Sequence, residues 1–353
     1  MQNSKSKKKV HAFFPLFNKF ISDSRRGTRL QANGKRVSKD TIRNYHYLGK
    51  HLLNFCQVKK FELRLREEKR LNSREVLSEQ IYWKKFYKKF TDYLYQDLGF
   101  FDNYVGSLIK NLKAFFNYLN RDTAVKVGQF HKIFYVSRDE IAIFTLLPEE
   151  LHFLIYDKMF ENSLSKRMRE VKDVVVFGCT VALRVSDLLK LKKASVRILR
   201  NRHYLAVRSQ KTLTDTMVLL PDYCLEIILR YKHLKGDLLP KFNKSNLNSS
   251  IKILFEKAGF TQEVTVHRSR RGKQMLKGHI KDKEKVLRFC DVASTHIMRR
   301  TAITTMLSLG MQEQLVRKIS GHAPASKEFY RYVEWSQAYM DKEAERVFGA
   351  FQP

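Results

Sequence analysis

The reading of this chain turns on residues 295–333. They run T-H-I-M-R-R-T-A-I-T-T-M through Met306, L-S-L-G at 307–310, and Q-L-V-R-K-I-S-G-H-A-P-A-S-K-E-F-Y-R-Y-V at 314–333. His296 and Arg299 are three residues apart, so a helix places them on one face. Gly321 stands where a helix would stop, since glycine takes the left-handed C-cap conformation without a steric cost. His322 follows it, and Tyr330 and Tyr332 come shortly after. Arginine and histidine can hold and protonate a phosphodiester, and a tyrosine can attack one.

Upstream of this stretch, A-L-R-V-S-D-L-L at 182–189 places Arg184 at the end of an apolar segment. A guanidinium emerging there is able to fork onto phosphate oxygens. The apolar segment itself, V-K-D-V-V-V-F-G-C-T-V at 171–181, is rich in β-branched residues. It therefore reads as a helix held by burial rather than by local propensity. V-R-I-L-R, a turn at Asn201-Arg202 and Y-L-A-V-R alternate as strands. A second turn, S-Q-K-T-L-T-D, carries Lys211 and leads to T-M-V-L-L-P, which gives a three-stranded antiparallel sheet. Lys211 is the only lysine between Lys193 and Lys232. L-L-P-E-E-L-H-F-L-I-Y at 146–156 opens a helix, with Pro148 in its first turn and Glu149-Glu150 at its positive end. H-R-S-R-R-G-K at 267–273 reads as a basic loop.

The N-terminal part is helical and basic. P-L-F-N-K-F-I begins a short helix that ends near Arg25-Arg26-Gly27, and Asn33-Gly34 marks a turn. Ser38 is the expected N-cap of a helix carrying Ile42, Tyr45, Leu48, Leu52 and Phe55 at helical spacing. Residues 81–94 and 105–119 set aromatics and leucines on one face and lysines on the other. The pattern lapses between Asn120 and Ser137, where a linker is expected.

The composition points to a polyanionic partner. Sixty-eight Lys and Arg oppose 35 Asp and Glu in 353 residues, for a net charge of +33 spread along the whole chain. Nucleic acid is its simplest physical counterpart. The start S-K-S-K-K-K-V reads equally as a mobile DNA-contacting arm or as a solvated terminus. Cys56, Cys179, Cys224 and Cys290 form no C-x-x-C pair, so neither a zinc ribbon nor a disulfide framework is indicated, and free thiols in a reducing cytoplasm fit best. His296 and His322 lack a third ligand at metal-site spacing. There is no membrane-length apolar run, signal peptide, P-loop or dinucleotide fingerprint.

Taken together, these residues resemble the tyrosine recombinase (phage integrase) family, of the mobile-element integrase type. The family's pattern is an Arg followed by x-S-E/D-L-L, a hairpin lysine, H-x-x-R, G-H and a terminal tyrosine. Arg184-Val185-Ser186-Asp187-Leu188-Leu189, Lys211, His296 with Arg299, and Gly321-His322 match it in order, and the 23-residue gap from Arg299 to His322 is the expected one. The resemblance implies a mostly α fold with a small antiparallel β-sheet (α+β). It also implies that Arg184, Lys211, His296, Arg299, His322 and Tyr332 are catalytic, Lys211 as general acid to the leaving 5′-oxygen, with Asp187 buttressing the site from behind. No glycine follows Lys211, where many members carry one. The family's usual tyrosine spacing falls between Tyr330 and Tyr332; F-Y-R-Y-V resembles F-x-K/R-Y-I/V and favours Tyr332, with Tyr330 as second choice.

The implied organisation is a basic N-terminal segment (1–12), a helical core-binding DNA-binding domain (13–122), a linker (123–136) and a catalytic domain with a C-terminal tail (137–353). The implied activity is site-specific cutting and rejoining of duplex DNA through a 3′-phosphotyrosyl link, without cofactor or metal. A homotetramer on two DNA sites would carry it out, with possible accessory directionality or host DNA-bending proteins. Alternatives are a type IB topoisomerase-like relaxase and a non-catalytic DNA-binding protein on the same fold. In the recombinase reading Ala344, Phe348 and Phe351 would be the apolar face of a tail exchanged between protomers, or equally one that packs in cis.

Overall fold

The computed structural model describes residues 10–208, 215–276, 286–323 and 326–335, together with residues 341, 344, 345, 348 and 349. The chain divides into two compact units. The first comprises residues up to Ile141 together with a second stretch beginning at His267; the second comprises the remainder.

The first unit opens with strand β1 (Val10–Ala12), which pairs antiparallel with β2 (Arg64–Arg66). Around this ladder lie α1 (Phe13–Arg26), α2 (Lys39–Val58), α3 (Ser73–Asp92) and α4 (Asp102–Asp122). Ser38 caps α2 as expected, its side chain accepting from the Thr41 backbone N–H. Tyr45, Leu48, Leu52 and Phe55 face inward from that helix. In α3, Trp83, Phe86 and Phe90 are buried, while Lys84, Lys85, Lys88 and Lys89 are exposed. One helix therefore serves both a core and a basic face. The core is dominated by rings: Phe115 meets Phe13, Phe17 and Phe20 edge-on, Phe55 meets Phe90 edge-on, and Phe13 stacks on Phe17, arrangements that ring quadrupoles favour over a face-to-face sandwich.

The segment 123–136, expected as a linker, adds Val127, Phe130 and Phe134 to this core. The basic stretch at 267 is a hairpin rather than a loop: β7 (His267–Arg270) pairs with β8 (Lys273–Leu276) across Arg271-Gly272. Both turn residues have positive φ, as a tight two-residue hairpin turn requires. Buried Asp102 accepts from the backbone N–H groups of Arg271 and Gly272 at 2.8 and 2.9 Å and from the Tyr95 hydroxyl at 2.7 Å. Arg270 donates to the Gly99 carbonyl, and Arg271 pairs with Asp92.

The second unit runs α5 (Pro148–Tyr156), α6 (Lys158–Ser163), α7 (Lys166–Val181), α8 (Val185–Leu188), the sheet β3 (Val196–Leu199), β4 (Arg202–Arg208) and β5 (Asp215–Leu219), then α9 (Asp222–Arg230) and α10 (Lys244–Lys257). The short pair β6 (Glu263–Val264) and β9 (Leu287–Arg288) precedes α11 (Phe289–Val292), α12 (His296–Ser308), α13 (Glu313–Ser320) and α14 (Lys327–Trp335). The sheet is antiparallel in the order β3-β4-β5. Its first turn is Arg200-Asn201, both at positive φ, one residue earlier than the sequence pattern suggested.

Helix α7 is buried along almost its whole length, from Val171 to Val181, as its β-branched content predicts. Gly178 makes its packing on α12 possible: a Cβ there would lie 2.7 Å from Met298 Sδ and 3.1 Å from Met298 Cβ. Lys172, 2% exposed on α7, meets Glu161 and Asp173; Arg230 bridges the same two carboxylates, and Tyr231 donates to Asp173 at 2.8 Å. This buried network joins α6, α7 and the end of α9. Burial pushes the Lys172 ammonium down and the Asp173 carboxyl up. Among the described residues, no helix is long and apolar enough to cross a membrane.

Candidate active site

Helix α7 ends at Val181, and Ala182 adopts the left-handed conformation at φ +53. That reversal turns the chain so that Arg184 precedes α8, half-buried, with Asp187 buried one turn on. The Ala182 carbonyl accepts from Arg299 Nη1 at 2.9 Å. Arg299 is 8% exposed and lies one turn into α12. Burial first, and the charge of Arg184 second, push its guanidinium down to about 10. Tyr332, Asp187 and Glu328 act in the opposite sense. At neutral pH Arg299 is still a cation.

Helix α13 stops at Gly321, which is left-handed at φ +63 as its place before His322 predicted. The His322 backbone N–H then donates to the Arg317 carbonyl at 3.0 Å. Its side chain is fixed on both nitrogens. Ser320 Oγ donates its single proton to the Val316 carbonyl at 2.6 Å, which leaves its lone pair to accept from His322 Nδ1 at 2.8 Å. Nε2 then accepts from Arg299 Nη2 at 3.1 Å. Burial, with Arg299, Arg184 and Arg317 nearby, pushes the imidazole down to about 3. A ring so surrounded by cations is neutral until an anion joins it.

The two tyrosines separate on α14. The Tyr332 ring lies 5.9 Å from the His322 ring, centroid to centroid, and 6.3 Å from that of buried Phe329. Tyr330 is 48% exposed and lies instead over the guanidinium of Arg317. Arg184, Arg299, His322 and Tyr332 are thus brought together, with Asp187 behind the arginines. His296 sits on the exposed side of the first turn of α12. Lys211 lies outside the described residues. Ala344 and Phe348 are exposed, and Phe351 lies outside the described residues.

Several contributors were not singled out from the sequence. Ser320 orients His322, the Ala182 carbonyl orients Arg299, and Phe329 sets its ring edge-on to His322 at 5.3 Å. Only Ser320 carried a signal, a hydroxyl directly before the G-H pair. The Ala182 carbonyl is a backbone group and left none.

Comparison with known proteins places the chain in a family and a fold. The model of the phage integrase family matches residues 153–338. The lambda integrase dimer bound to a COC′ core site is similar in fold, at 12% identity and a TM-score of 0.59, over 92% of this chain and 77% of that one. XerH site-specific recombinase bound to palindromic difH substrate is similar at 14% identity and 0.57, over 93% and 83%. The Tn1549 transposon integrase in complex with transposon right end DNA follows at 14% and 0.52, over 93% and 98%. No curated protein matches the sequence.

Proposed function

The chain belongs to the phage integrase family, the tyrosine recombinases, and on that premise we propose that Tyr332 is its nucleophile in site-specific cutting and rejoining of duplex DNA. The observation that carries this assignment is the placing of the Tyr332 ring against His322, beside Arg299, while Tyr330 faces Arg317. As a member of this family the protein is a DNA strand transferase.

In the reading proposed, Tyr332 Oη attacks the scissile phosphorus and the phosphorus–O5′ bond breaks. This leaves a 3′-phosphotyrosyl link and a free 5′-hydroxyl. Arg184 and Arg299 neutralise the charge that grows on the non-bridging oxygens as phosphorus becomes five-coordinate. Arg299 already reaches His322, so a phosphate that draws it away frees Nε2 for the same anion. The anion's charge then favours the protonated ring. Lys211 gives its proton to the leaving 5′-oxygen, and the phenol proton of Tyr332 passes to His296, at the open edge, which can otherwise donate to a non-bridging oxygen. Rejoining reverses the step with a 5′-hydroxyl from the partner duplex. One phosphoester bond forms for each one broken, so no energy source is consumed. Asp187, buried in α8, holds the arginine side of the site. A homotetramer on two duplex sites would pair the cuts, with the C-terminal tail exchanged between protomers; the exposure of Phe348 supports that exchange. Accessory directionality or DNA-bending proteins would set its outcome.

The test is covalent trapping. A target site is selected by the protein from randomised duplex DNA, then nicked so that the cleaved end diffuses away. Wild type and Tyr330→Phe should form the covalent adduct. Tyr332→Phe, which loses only the phenolic oxygen, should bind the same duplex and form none. An adduct that survives Tyr332→Phe but not Tyr330→Phe would transfer the role to Tyr330.

A further inference from the structure

One buried charge is left unused by this chemistry. Arg317 on α13 is 8% exposed, and its guanidinium carbon lies 4.5 Å from the ring centroids of both Phe329 and Tyr330. Glu313, one turn earlier, accepts from its Nε at 2.7 Å. Phe329 is wholly buried among Ala182, Ala302, Ile303, Leu307 and Val316. With a carboxylate on its Nε and an aromatic ring on each side, this guanidinium is directed into its own fold.

Its two ring partners are consecutive residues, so their side chains leave α14 about 100° apart. One planar cation that contacts both fixes the rotation of the helix about its axis as well as its distance from α13. Rotation is what matters for Tyr332. It stands three residues after Phe329 and therefore on the same face, 6.3 Å from that ring and 5.9 Å from His322.

We propose that Arg317 is a positioning residue that sets the rotation of α14 and so presents Tyr332 to Arg299 and His322, with Tyr330 as the outer ring of the clamp. The proposal rests on the reading of Tyr332 as nucleophile. It also gives the second tyrosine a use: its ring and its hydroxyl are both partners of Arg317. Guanidinium is suited to the task because it is planar and weakly hydrated and stacks on rings; a lysine ammonium does so less well.

The experiment uses the full chain and the nicked duplex described above, with single-turnover adduct formation measured at saturating protein. Arg317→Ala and Tyr330→Ala should each slow the adduct by about 10–100-fold, since a displacement of about 1 Å at a reacting group costs on that order. Duplex affinity should be unchanged. Tyr330→Phe, which keeps the ring and loses only the hydroxyl bond to Arg317, should recover most of the rate, and Arg317→Lys should fall between. Wild-type rates for both alanine variants would overturn the clamp. So would a slow Arg317→Ala beside a normal Tyr330→Ala, because Arg317 would then act without the ring. If Arg317→Ala does not fold, the Tyr330→Ala and Tyr330→Phe pair decides alone, as that ring is half-exposed. Loss of the adduct in Tyr330→Phe would instead overturn the nucleophile assignment itself.

Discussion

Replacing Arg299 by methionine should slow cleavage by about 10²–10³ and leave the free protein at least as stable as the wild type. The structure sets the size of both effects. Burial and Arg184 push the guanidinium from 12.5 to about 10. At about 1.4 kcal/mol per tenfold change in proton affinity, the charged form is disfavoured by about 3 kcal/mol. Because the folded value lies below the unfolded one, that cost is present in full at every pH below 10. Opposing it are two donated hydrogen bonds, to the Ala182 carbonyl and to His322, each worth about 1 kcal/mol net. Methionine has a similar reach, no charge and the flexibility to fill an irregular site. The difference leaves Arg299→Met more stable by about 1 kcal/mol, a rise in melting temperature of about 2–4 °C for a chain of this size.

Cleavage moves the other way. Losing one preorganised cation at the transition state costs about 10²–10³ in rate. Two measurements on the same preparations check this: thermal unfolding of the DNA-free protein at neutral pH, and adduct formation on the nicked duplex. DNA should also raise the melting temperature of the wild type more than that of the variant, since only the wild type gains a phosphate partner for the buried cation. A variant less stable by more than about 2 kcal/mol would show that Arg299 supports the fold and that the cost of its burial was misjudged. A variant that cleaves normally would remove Arg299 from the site.

Two further outcomes follow from buried groups. Burial pushes the imidazole of His322 down to about 3 and that of His131 down to about 4, from an ordinary 6.5. The unfolded chain therefore binds protons that the fold does not, and this part of the stability is complete above about pH 6.5 and is lost as pH falls toward 4. His322→Asn should flatten the acid limb of a melting-temperature profile, and an unaltered limb would refute the assignment. In the first unit, Asp102→Ala removes the acceptor of the Tyr95 hydroxyl and of two hairpin N–H groups. It should destabilise the hairpin by about 2–3 kcal/mol, seen as faster hydrogen exchange across 267–276 with α7 unaffected; unchanged exchange there would show that the carboxylate does not hold the hairpin.

The elements that sequence made legible are those whose pattern is local. Helices α2, α3 and α4 repeat apolar residues at helical spacing, Ser38 marks the start of α2, and Gly321 marks the end of α13. The Arg184, Arg299 and His322 cluster was legible because each residue sits in a short signature. What stayed hidden depends on partners far along the chain. H-R-S-R-R-G-K reads as a basic loop until Asp92 and Asp102, some 170 positions earlier, are found to hold Arg271 and its backbone. Lys172 looks like an ordinary lysine at the head of an apolar helix, but its carboxylate partners Glu161 and Asp173 are shared with Arg230 from α9. Val127, Phe130 and Phe134 have no regular period, so a segment that contributes to a core read as a linker. Counting residues from His322 left Tyr330 and Tyr332 open; the rotation of α14 is what separates them.

The end of α7 links local strain to chemistry. A helix stop of this geometry normally uses glycine, because a Cβ at positive φ crowds the backbone at a cost of about 1 kcal/mol or more. Here alanine occupies it at φ +53. Its methyl group is wholly buried with Ile303, Leu307 and Phe329, so packing offsets part of that cost. Its carbonyl points at Arg299, and the residue two places on is Arg184. Had α7 run on, the carbonyl would have been taken by its own helix and Arg184 carried past the site. The strained turn thus supplies an acceptor to one arginine and delivers the other, while the methyl that causes the strain packs against the ring that seats α14. A glycine there would relieve the backbone and lose that contact, which gives the site its own reason to keep the alanine.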